Sequence, residues 1–256
     1  MKNLKLLALG LIVCFVSTLR AQTAEEIIEN YIENIGGQKA WSKINAMEVT
    51  GIGRQQAVDY PFVATYMKDG RRIVDVNLQG NSFIFDAFDG ESAWAMNFNT
   101  QKAEALDAET SINTKNSAKD YLPDGFMNYK EKGYSIKLLG KELFEGTECF
   151  KIKLIKKPYI VDGKEEENVE TYYFDTENFV PIAMESVIKT GQGKGAMTQM
   201  LLSDYQEVDG VYIAFSQIQK FNGQVGLELT YKSVVFNNDI DENIFRIPED
   251  TIIKKN

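Results

Sequence analysis

FVATYMKDGRRIVDVNLQGNSFIFDAFDGESAWAMNF, at residues 62–98, is the stretch that decides the fold of this 256-residue chain. It contains four runs rich in β-branched and aromatic residues, separated by the breaks KDGR, LQGN and FDGE. Each break combines glycine with aspartate or asparagine, which is typical of tight hairpin turns because glycine accepts positive φ angles. Consecutive strands joined by such turns pair antiparallel. The stretch therefore predicts a β-meander.

The same alternation of apolar and polar residues continues along most of the chain, as expected for strands with one buried face. A further turn is predicted at Gly140 and Lys141. About a dozen consecutive antiparallel strands accumulate twist, and open edges promote aggregation, so the sheet must curl. We therefore expect a mainly β fold with a few helices, in which a strongly curved antiparallel sheet forms a half-open barrel. Strands are predicted at residues 46–54, 62–68, 72–78, 82–88, 93–98, 134–139, 147–156, 169–175, 180–189, 196–206, 211–221 and 227–236.

A few helices are expected to cover the concave face of this sheet. Thr23 is predicted to cap an N-terminal helix, because Glu26 three residues later completes a capping box. Gly36 ends the helix, and a short second helical piece follows at 38–44. A polar region further along predicts a short helix near 117–121 that lies across the sheet, and a plain covering loop is the alternative. The apolar stripe of the first helix consists of Ile27, Ile28, Tyr31, Ile32 and Ile35.

Residues 1–22 have the pattern of a secretory signal peptide. Lys2 and Lys5 precede an apolar core at 6–16, which is too short to span a membrane as a helix. The segment predicts cleavage near residue 22. The alternative is an uncleaved anchor, but no stop-transfer pattern follows.

The export signal sets the expected domain organisation and location. Residues 23–248 are expected to form a single domain, because all-β sheets of this size are common, and 249–256 form a polar tail. The expected location is the periplasm of a Gram-negative envelope.

Composition excludes some partners and some chemistry. The chain has 28 basic and 37 acidic residues, a net charge of −9. Removal of the signal peptide takes away three basic residues (Lys2, Lys5, Arg20) and leaves a net charge of −12. This acidity argues against binding nucleic acid or anionic membranes. Cleavage also removes Cys14 and leaves Cys149 alone, so the mature chain forms no internal disulfide.

The sequence offers little catalytic machinery. The chain contains no histidine, which excludes a Ser-His-Asp triad and imidazole metal sites. The glycine-rich run at 191–195 lacks the Lys-Ser/Thr ending of a phosphate-binding loop and predicts a hairpin tip. Asp239 and Asp241 are expected to cap a short helix rather than bind calcium.

The carboxylates of Asp86 and Asp89 and the thiol of Cys149 are interpreted as structural rather than catalytic groups. Asp86 and Asp89 could act as the acid–base pair of a carboxylate hydrolase. This is the weakest hypothesis, because Asp89 belongs to a turn and Asp86 is expected on the polar strand face. Cys149 is expected to be a structural thiol. We therefore expect no enzyme activity, no cofactor and no metal.

Apolar side chains are more abundant than a short helix and a loop can cover. Any uncovered part of the concave face would become an apolar cavity suited to acyl chains. The alternative is a fully packed core. The candidate cavity residues are Phe62, Tyr66, Phe83, Phe85, Trp94, Met96, Phe98, Met184, Phe215 and Leu229.

Six segments of the mature chain carry a family resemblance. Their order resembles that of the LolA/LolB-like periplasmic lipoprotein carriers, which include the outer-membrane lipoprotein-sorting proteins. The segments are IIENYIENIGG (27–37), FDAFDGESAW (85–94), LLGKELFEGTECFKIKLI (138–155), YYFDTENFVPIAME (172–185), SDYQEVDGVYIAF (203–215) and DENIFRIP (241–248).

This resemblance implies an open half-barrel that shields lipid chains in a hydrophobic cavity. Many such carriers have a basic-basic-Pro-x-x-Arg turn early in the sheet, and MKDGRR at 67–72 occupies the comparable turn without the proline. Lys68, Arg71 and Arg72 are the candidates for the cavity mouth.

The expected function is a soluble, non-catalytic periplasmic carrier of lipid or lipoprotein. Its partners would be an acylated lipoprotein or another lipid-like ligand, together with envelope membrane proteins. The alternative is a cell-envelope structural or interaction protein with a self-filled core and no lipid ligand.

Overall fold

The computed structural model describes residues 22–191 and 193–248, which contain fifteen strands and three α-helices. The predicted signal peptide, apart from Gln22, and the predicted polar tail lie outside these residues. The helices are α1 (Ala24–Asn34), α2 (Gly37–Trp41) and α3 (Ala108–Ser117). The strands are β1 (Ala46–Gln55), β2 (Val58–Met67), β3 (Arg72–Leu78), β4 (Asn81–Phe88), β5 (Ala93–Met96), β6 (Ala103–Ala105), β7 (Ser135–Phe144), β8 (Thr147–Ile155), β9 (Tyr159–Val161), β10 (Lys164–Glu166), β11 (Val169–Asp175), β12 (Pro181–Val187), β13 (Met197–Val208), β14 (Val211–Phe221) and β15 (Gln224–Phe236).

Thirteen of these strands form one antiparallel sheet. Their spatial order is β6-β5-β4-β3-β2-β1-β15-β14-β13-β12-β11-β8-β7, and β9 pairs with β10 in a separate hairpin. The first strand lies beside the last one, so two meanders meet at the centre of the sheet. The edge strands β6 and β7 do not pair with each other, and the curved sheet remains a half-open barrel. The predicted fold class is confirmed.

The strand pattern differs from the prediction on the C-terminal side of the large loop. The turn predicted at Gly140 and Lys141 is wrong, because β7 continues past both residues to Phe144. A β-bulge between Leu138 and Gly140 leaves Leu139 as the extra residue, and Gly140, whose φ is 126°, pairs with Lys151. The reversal occurs at Glu145 and Gly146, where both residues have positive φ. A glycine in a strand therefore marked a bulge rather than a turn.

Helix α1 forms as predicted. The Glu26 backbone N–H donates to the Thr23 hydroxyl at 3.1 Å, and the Glu26 carboxylate accepts from the Thr23 backbone N–H at 2.9 Å. Its C-terminal Gly36 has φ 110°, and a Cβ there would lie 2.4 Å from the Gly210 carbonyl oxygen. Only glycine permits this approach, which places α1 against the turn before β14.

Helix α3 was not predicted, and the short helix predicted at 117–121 corresponds to the 3-10 helix that follows α3. Asp107 caps α3 by accepting from the Thr110 backbone N–H at 2.7 Å. Asn113 is its buried residue, so the sequence carries no apolar stripe that would have indicated the helix. A 3-10 helix at Ala118–Tyr121 continues it across the sheet.

Two segments cover the two faces of the sheet. On the concave face, α1, α2 and the segment after the 3-10 helix bury one large apolar cluster. On the convex face, a second 3-10 helix (Glu242–Phe245), which Asp241 caps as predicted, packs Phe245 against Ile73, Ala87 and Trp94. We call the covered part of the concave face the filled half. It comprises Ile27, Ile28, Tyr31, Ile35, Phe126, Phe150, Ile152, Leu154, Phe174 and Val211.

Candidate ligand-binding face

Strand pairing shows which side chains share the concave face away from α1. Residues directly opposite each other on neighbouring strands point to the same side of a sheet. Gly51 lies opposite both Phe62 and Tyr231, and Phe62 lies opposite Val76. Val76 in turn lies opposite Phe83. These residues form one row across five neighbouring strands, β15, β1, β2, β3 and β4.

Further rows extend this surface towards β12. Leu229 lies opposite Gln217, which lies opposite Leu202. Met200 lies opposite Met184. These apolar side chains are only partly buried. We call this surface the open half. It comprises Phe62, Val76, Met184, Met200, Leu202, Phe215, Leu227, Leu229 and Tyr231.

Glycine and aromatic residues shape the floor of the open half. A Cβ on Gly51 would lie 2.6 Å from the ring of Phe62, so the ring packs directly on the backbone of β1. The Tyr231 ring lies 6.1 Å from that of Phe62 and 6.0 Å from that of Phe215, in edge-to-face arrangements. The Gln217 side-chain amide donates to the Tyr231 hydroxyl at 2.9 Å. The floor is therefore rigid and largely apolar.

Buried ion pairs hold the segment that covers the filled half. We call this segment the cover; it consists of the 3-10 helix at Ala118–Tyr121 and the residues that follow it up to Met127. Lys156 contacts Asp120 at 2.8 Å and Glu170 at 2.9 Å, and Lys132 contacts Asp120 at 3.1 Å. The side chains of Lys156 and Asp120 are 8% and 9% exposed. Burial alone would lower the pKa of Lys156, but Glu170 and Asp120 outweigh it and raise that pKa. This network ties the 3-10 helix at Ala118–Tyr121 to β8 and β11.

The carboxyl group of Asp124 holds the chain segment that follows the 3-10 helix. The Asp124 carboxylate accepts hydrogen bonds from the Tyr31 hydroxyl and from the backbone N–H groups of Phe126 and Met127. Burial raises the pKa of Asp124, although these hydrogen bonds oppose the shift. Burial also raises the pKa of Tyr31. The cover is thus joined to α1 as well as to the sheet.

Three polar side chains lie where the two halves meet. Arg72 lies opposite both Tyr66 and Phe88, which places it on the concave face. The Tyr121 ring stacks on the Tyr66 ring at 5.5 Å, and the Arg72 guanidinium lies 4.6 Å from the centre of the Tyr121 ring. Burial raises the pKa of both tyrosines, so both hydroxyls are neutral at pH 7.

Six of the ten candidate cavity residues lie on the concave face. Phe62, Phe83 and Phe215 are buried there, and the other three are partly exposed. The partly exposed ones are Tyr66, Met184 and Leu229. Whether any of them binds a ligand stays a prediction.

A bulge in β4 changes the faces of the remaining candidates. Val74 pairs with Asp86, whereas Asp75 pairs with Ile84, so Phe85 is an extra residue and is 60% exposed. The alternation reverses after it, because a one-residue shift moves side chains to the opposite face. Trp94 therefore lies on the convex face, where its indole N–H donates to the Phe245 carbonyl at 2.8 Å. The expectation that Trp94 lines the concavity is corrected.

The same reversal corrects the expectation for Asp86. It lies on the concave face and forms an ion pair with Arg72, rather than lying on a polar outer face. Asp89 belongs to a turn as predicted, since it accepts from the backbone N–H groups of Glu91 and Ser92. The two carboxylates therefore have separate partners: Asp86 pairs with Arg72, and Asp89 holds the turn.

Met96 and Phe98 lie at and beyond the end of β5. With Phe83 they line a recess of about 410 Å³ beside the open half, and the Phe83 and Phe98 rings are 4.3 Å apart. Phe98 is 66% exposed. Gln79, Asn81, Ser82 and Gln101 also line this recess, so it is of mixed polarity.

The three candidate mouth residues, Lys68, Arg71 and Arg72, lie in three different environments in the structure. Lys68 is exposed and lines a cleft of about 720 Å³ between α2, the β2–β3 turn and the 3-10 helix, together with Leu122 and Lys132. Arg71 binds Asp69 at 2.9 Å and Glu242 at 3.1 Å, and thereby holds the C-terminal segment. Arg72 is buried. Whether any of the three lies at the mouth of a ligand cavity stays a prediction.

Besides Tyr121, which lies where the two halves meet, the candidate list omitted five residues of the open half: Val76, Met200, Leu202, Leu227 and Tyr231. Leu202 follows the alternation of Met200 in β13 and could have been found from that pattern. Tyr121 could not, because its place above Arg72 depends on the path of the polar segment that carries it.

The described residues give no indication of metal or thiol chemistry. They contain no group of three or more metal-ligating side chains. Burial raises the pKa of Cys149 to about 11, which makes it an inert thiol in the described part of the chain. None of the helices described is long and apolar enough to cross a bilayer.

Comparisons with known proteins identify the fold. No family model matches the chain, and no curated protein matches it. Among solved structures, a LolA superfamily protein from Nitrosomonas europaea has a TM-score of 0.55 at 15% identity, covering 88% of this chain and 98% of its own. A domain assigned to the outer membrane lipoprotein-sorting proteins, from Vibrio parahaemolyticus, has a TM-score of 0.54 at 14% identity, covering 85% and 97%. The chain therefore has a LolA-like fold.

Proposed function

We propose that this protein is a non-catalytic carrier that binds acyl chains on the open half of its concave face. The unit that binds is the single domain at 23–248, after export to the periplasm and removal of residues 1–22. No bond is made or broken in the cargo. The cargo is an acylated lipoprotein or another lipid-like ligand, which envelope membrane proteins deliver or receive.

One observation carries this proposal: apolar side chains on a concave surface remain partly exposed. Met184, Met200, Leu202 and Leu229 each leave part of an aliphatic side chain in contact with water. A bound acyl chain would remove that surface from water, and complete burial of such a side chain contributes about 1.5–3 kcal/mol. Two of the four are methionines, whose flexible thioethers adapt to chains of different shape.

The LolA-like fold supports the same proposal. The structures that share it include a domain assigned to lipoprotein sorting, which is a statement about that domain. At 14–15% identity the likeness establishes the fold alone. The choice between lipoprotein and free lipid as cargo therefore has to come from binding experiments.

The test is binding of a fluorescent fatty acid by the mature protein and mass spectrometry of lipid extracted from it. Leu229→Glu places a charge on the open half and is expected to weaken binding by at least about tenfold, since burial of an unpaired charge costs more than 1.4 kcal/mol. Val63→Glu is the matched control, because Val63 is 41% exposed and lies one residue from Phe62 on the other face of β2. Equal binding by both variants would contradict the proposal.

The filled half favours a second candidate, an envelope structural or interaction protein. Its interior is occupied by α1 and by the segment containing Phe126, whose side chains are buried against the sheet. If the purified mature protein carries no lipid and takes up none, this second candidate replaces the first.

A further inference from the structure

The Arg72 guanidinium has a hydrogen-bond donor without a partner. Its Nε and Nη2 groups donate to the two oxygens of Asp86, at 2.5 and 3.1 Å. Its Nη1 group is buried and has no hydrogen-bond partner among the described residues. The whole Arg72 side chain is only 7% exposed. Buried donors are almost always paired in folded proteins, because an unpaired one costs about 1–3 kcal/mol.

Two tyrosines lie beside Arg72: Tyr66 directly opposite it on β2, and Tyr121 above its guanidinium. The described residues supply no hydrogen-bond partner to the hydroxyl of either Tyr66 or Tyr121. The Tyr121 ring covers the guanidinium, and Tyr121 as a residue is 41% exposed. Convergent polar groups at one end of an apolar surface are typical of a site that fixes the polar end of a ligand.

The charges nearby decide what kind of polar group would fit. Asp86 already neutralises Arg72 through two hydrogen bonds. A ligand carboxylate bound at Nη1 would bring a second anion close to Asp86, and like charges in a partly desolvated site repel. A neutral carbonyl oxygen accepts the same hydrogen bond without that repulsion. The geometry therefore favours a neutral acceptor over a charged one.

We propose that Arg72 Nη1 donates a hydrogen bond to the ester or amide carbonyl of a bound acyl group. The acyl chain then extends from Arg72 over Val76 and Phe62 towards Leu229, on the open half. The Tyr66 and Tyr121 hydroxyls bind the remaining oxygens of the head group. This inference rests on the proposed function and adds to it the chemical class of the ligand, a neutral acyl ester or amide.

The experiment compares two lipids that differ by one carbonyl oxygen. These are 1-monooleoylglycerol, an ester, and 1-O-oleylglycerol, its ether analogue, and their affinities are measured by displacement of the fluorescent fatty acid. The mature protein is expected to bind the ester about tenfold more tightly, which equals about 1.4 kcal/mol, the low end for hydrogen bonds to a charged group. Equal affinities would overturn the inference while leaving the proposed function intact.

Variants connect this preference to Arg72. The double variant Arg72→Gln with Asp86→Asn removes the guanidinium without leaving a buried carboxylate unpaired, and is expected to bind ester and ether equally. Arg72→Lys serves if the double variant does not fold, because it keeps the charge opposite Asp86 and lacks the forked donor; the ester preference should fall at least about threefold. A preference that persists in the folded variant would overturn the inference.

Two further outcomes separate the inference from the function on which it rests. Oleate, tested beside the neutral lipids, should bind no more tightly than the ester. Tighter binding of oleate would overturn the assignment of a neutral acceptor. If the protein binds none of these lipids, the proposed function fails and the inference fails with it.

Discussion

The filled and open halves share one sheet and differ in what covers them. In the filled half, Phe126 and Phe174 are 0% exposed, and Lys156 ties the cover to the sheet. In the open half, Met200 and Leu202 remain partly exposed although they occupy equivalent inward positions. The covering segments come from before β1 and from between β6 and β7, and both dock on the same side. The comparison teaches that apolar strand positions alone do not show whether a surface is core or binding site.

The largest expected effect is on the packing of the filled half. Phe174→Ala is expected to lower the free energy of unfolding by about 3–5 kcal/mol, because it leaves a cavity among Tyr31, Phe126 and Tyr172. Met200→Ala is the matched change in the open half and should cost about 1 kcal/mol or less, since its side chain is already partly in water. Urea denaturation measures both values. Equal costs would show that the open half is packed core, and would remove the distinction between the halves.

The second effect concerns the ion pairs under the cover. Lys156→Met leaves Asp120 and Glu170 without their shared cation and is expected to cost about 3 kcal/mol. Lys115→Met is the control, because its ion pair with Glu91 is exposed and should change stability by no more than roughly 0.5 kcal/mol. Thermal and urea unfolding measure both. A cost for Lys156→Met no larger than that of the control would mean that the network does not hold the cover.

The smallest effect is a pH dependence at the joint between α1 and the cover. The raised pKa of Asp124 means that the folded state binds its proton more tightly than the unfolded state. Its contribution to stability is therefore present below the ordinary pKa of aspartate and is lost as pH rises through the folded pKa. Asp124→Asn removes this dependence and keeps an oxygen for the Phe126 and Met127 N–H groups.

The stability of the Asp124→Asn variant should consequently improve relative to the native chain as pH rises from about 4 to about 7, by roughly 1 kcal/mol or less. Urea titrations at several pH values measure the difference. A difference that moves in the opposite direction would mean that Tyr31 and the backbone stabilise the ionised carboxylate.

The sheet could be predicted from sequence because its signals are local. Period-two alternation and glycine-containing turns gave strands such as β3 and β14 with their observed bounds. The capping box of Thr23 and Glu26 gave α1 for the same reason. Helix α3 was not predicted, because it is polar and has no apolar stripe. It is held instead by contacts with residues distant in sequence, such as the hydrogen bond that the Asn113 side-chain amide donates to the Ile160 carbonyl.

The candidate site was predictable only where strands are regular. Phe62, Met184 and Leu229 follow from alternation and lie on the concave face. Trp94 does not, because the bulge at Phe85 depends on how β3 and β4 pair and leaves no mark in the alternation. The unpaired donor of Arg72 required coordinates, since it is defined by the absence of an acceptor among distant residues that the structure describes.

The bulge between Leu138 and Gly140 affects how readily two copies of this chain could pair along their edge strands. Strand β7 is ten residues long and forms one free edge, where Leu139 and Leu143 are 46% and 73% exposed. A straight edge of this length would let copies join through their backbones and grow into fibres. The bulge at Leu139, with Lys137 and Lys141 nearby, interrupts such a straight edge. One irregular residue thus lets the sheet keep an open edge without offering a long straight template to other copies.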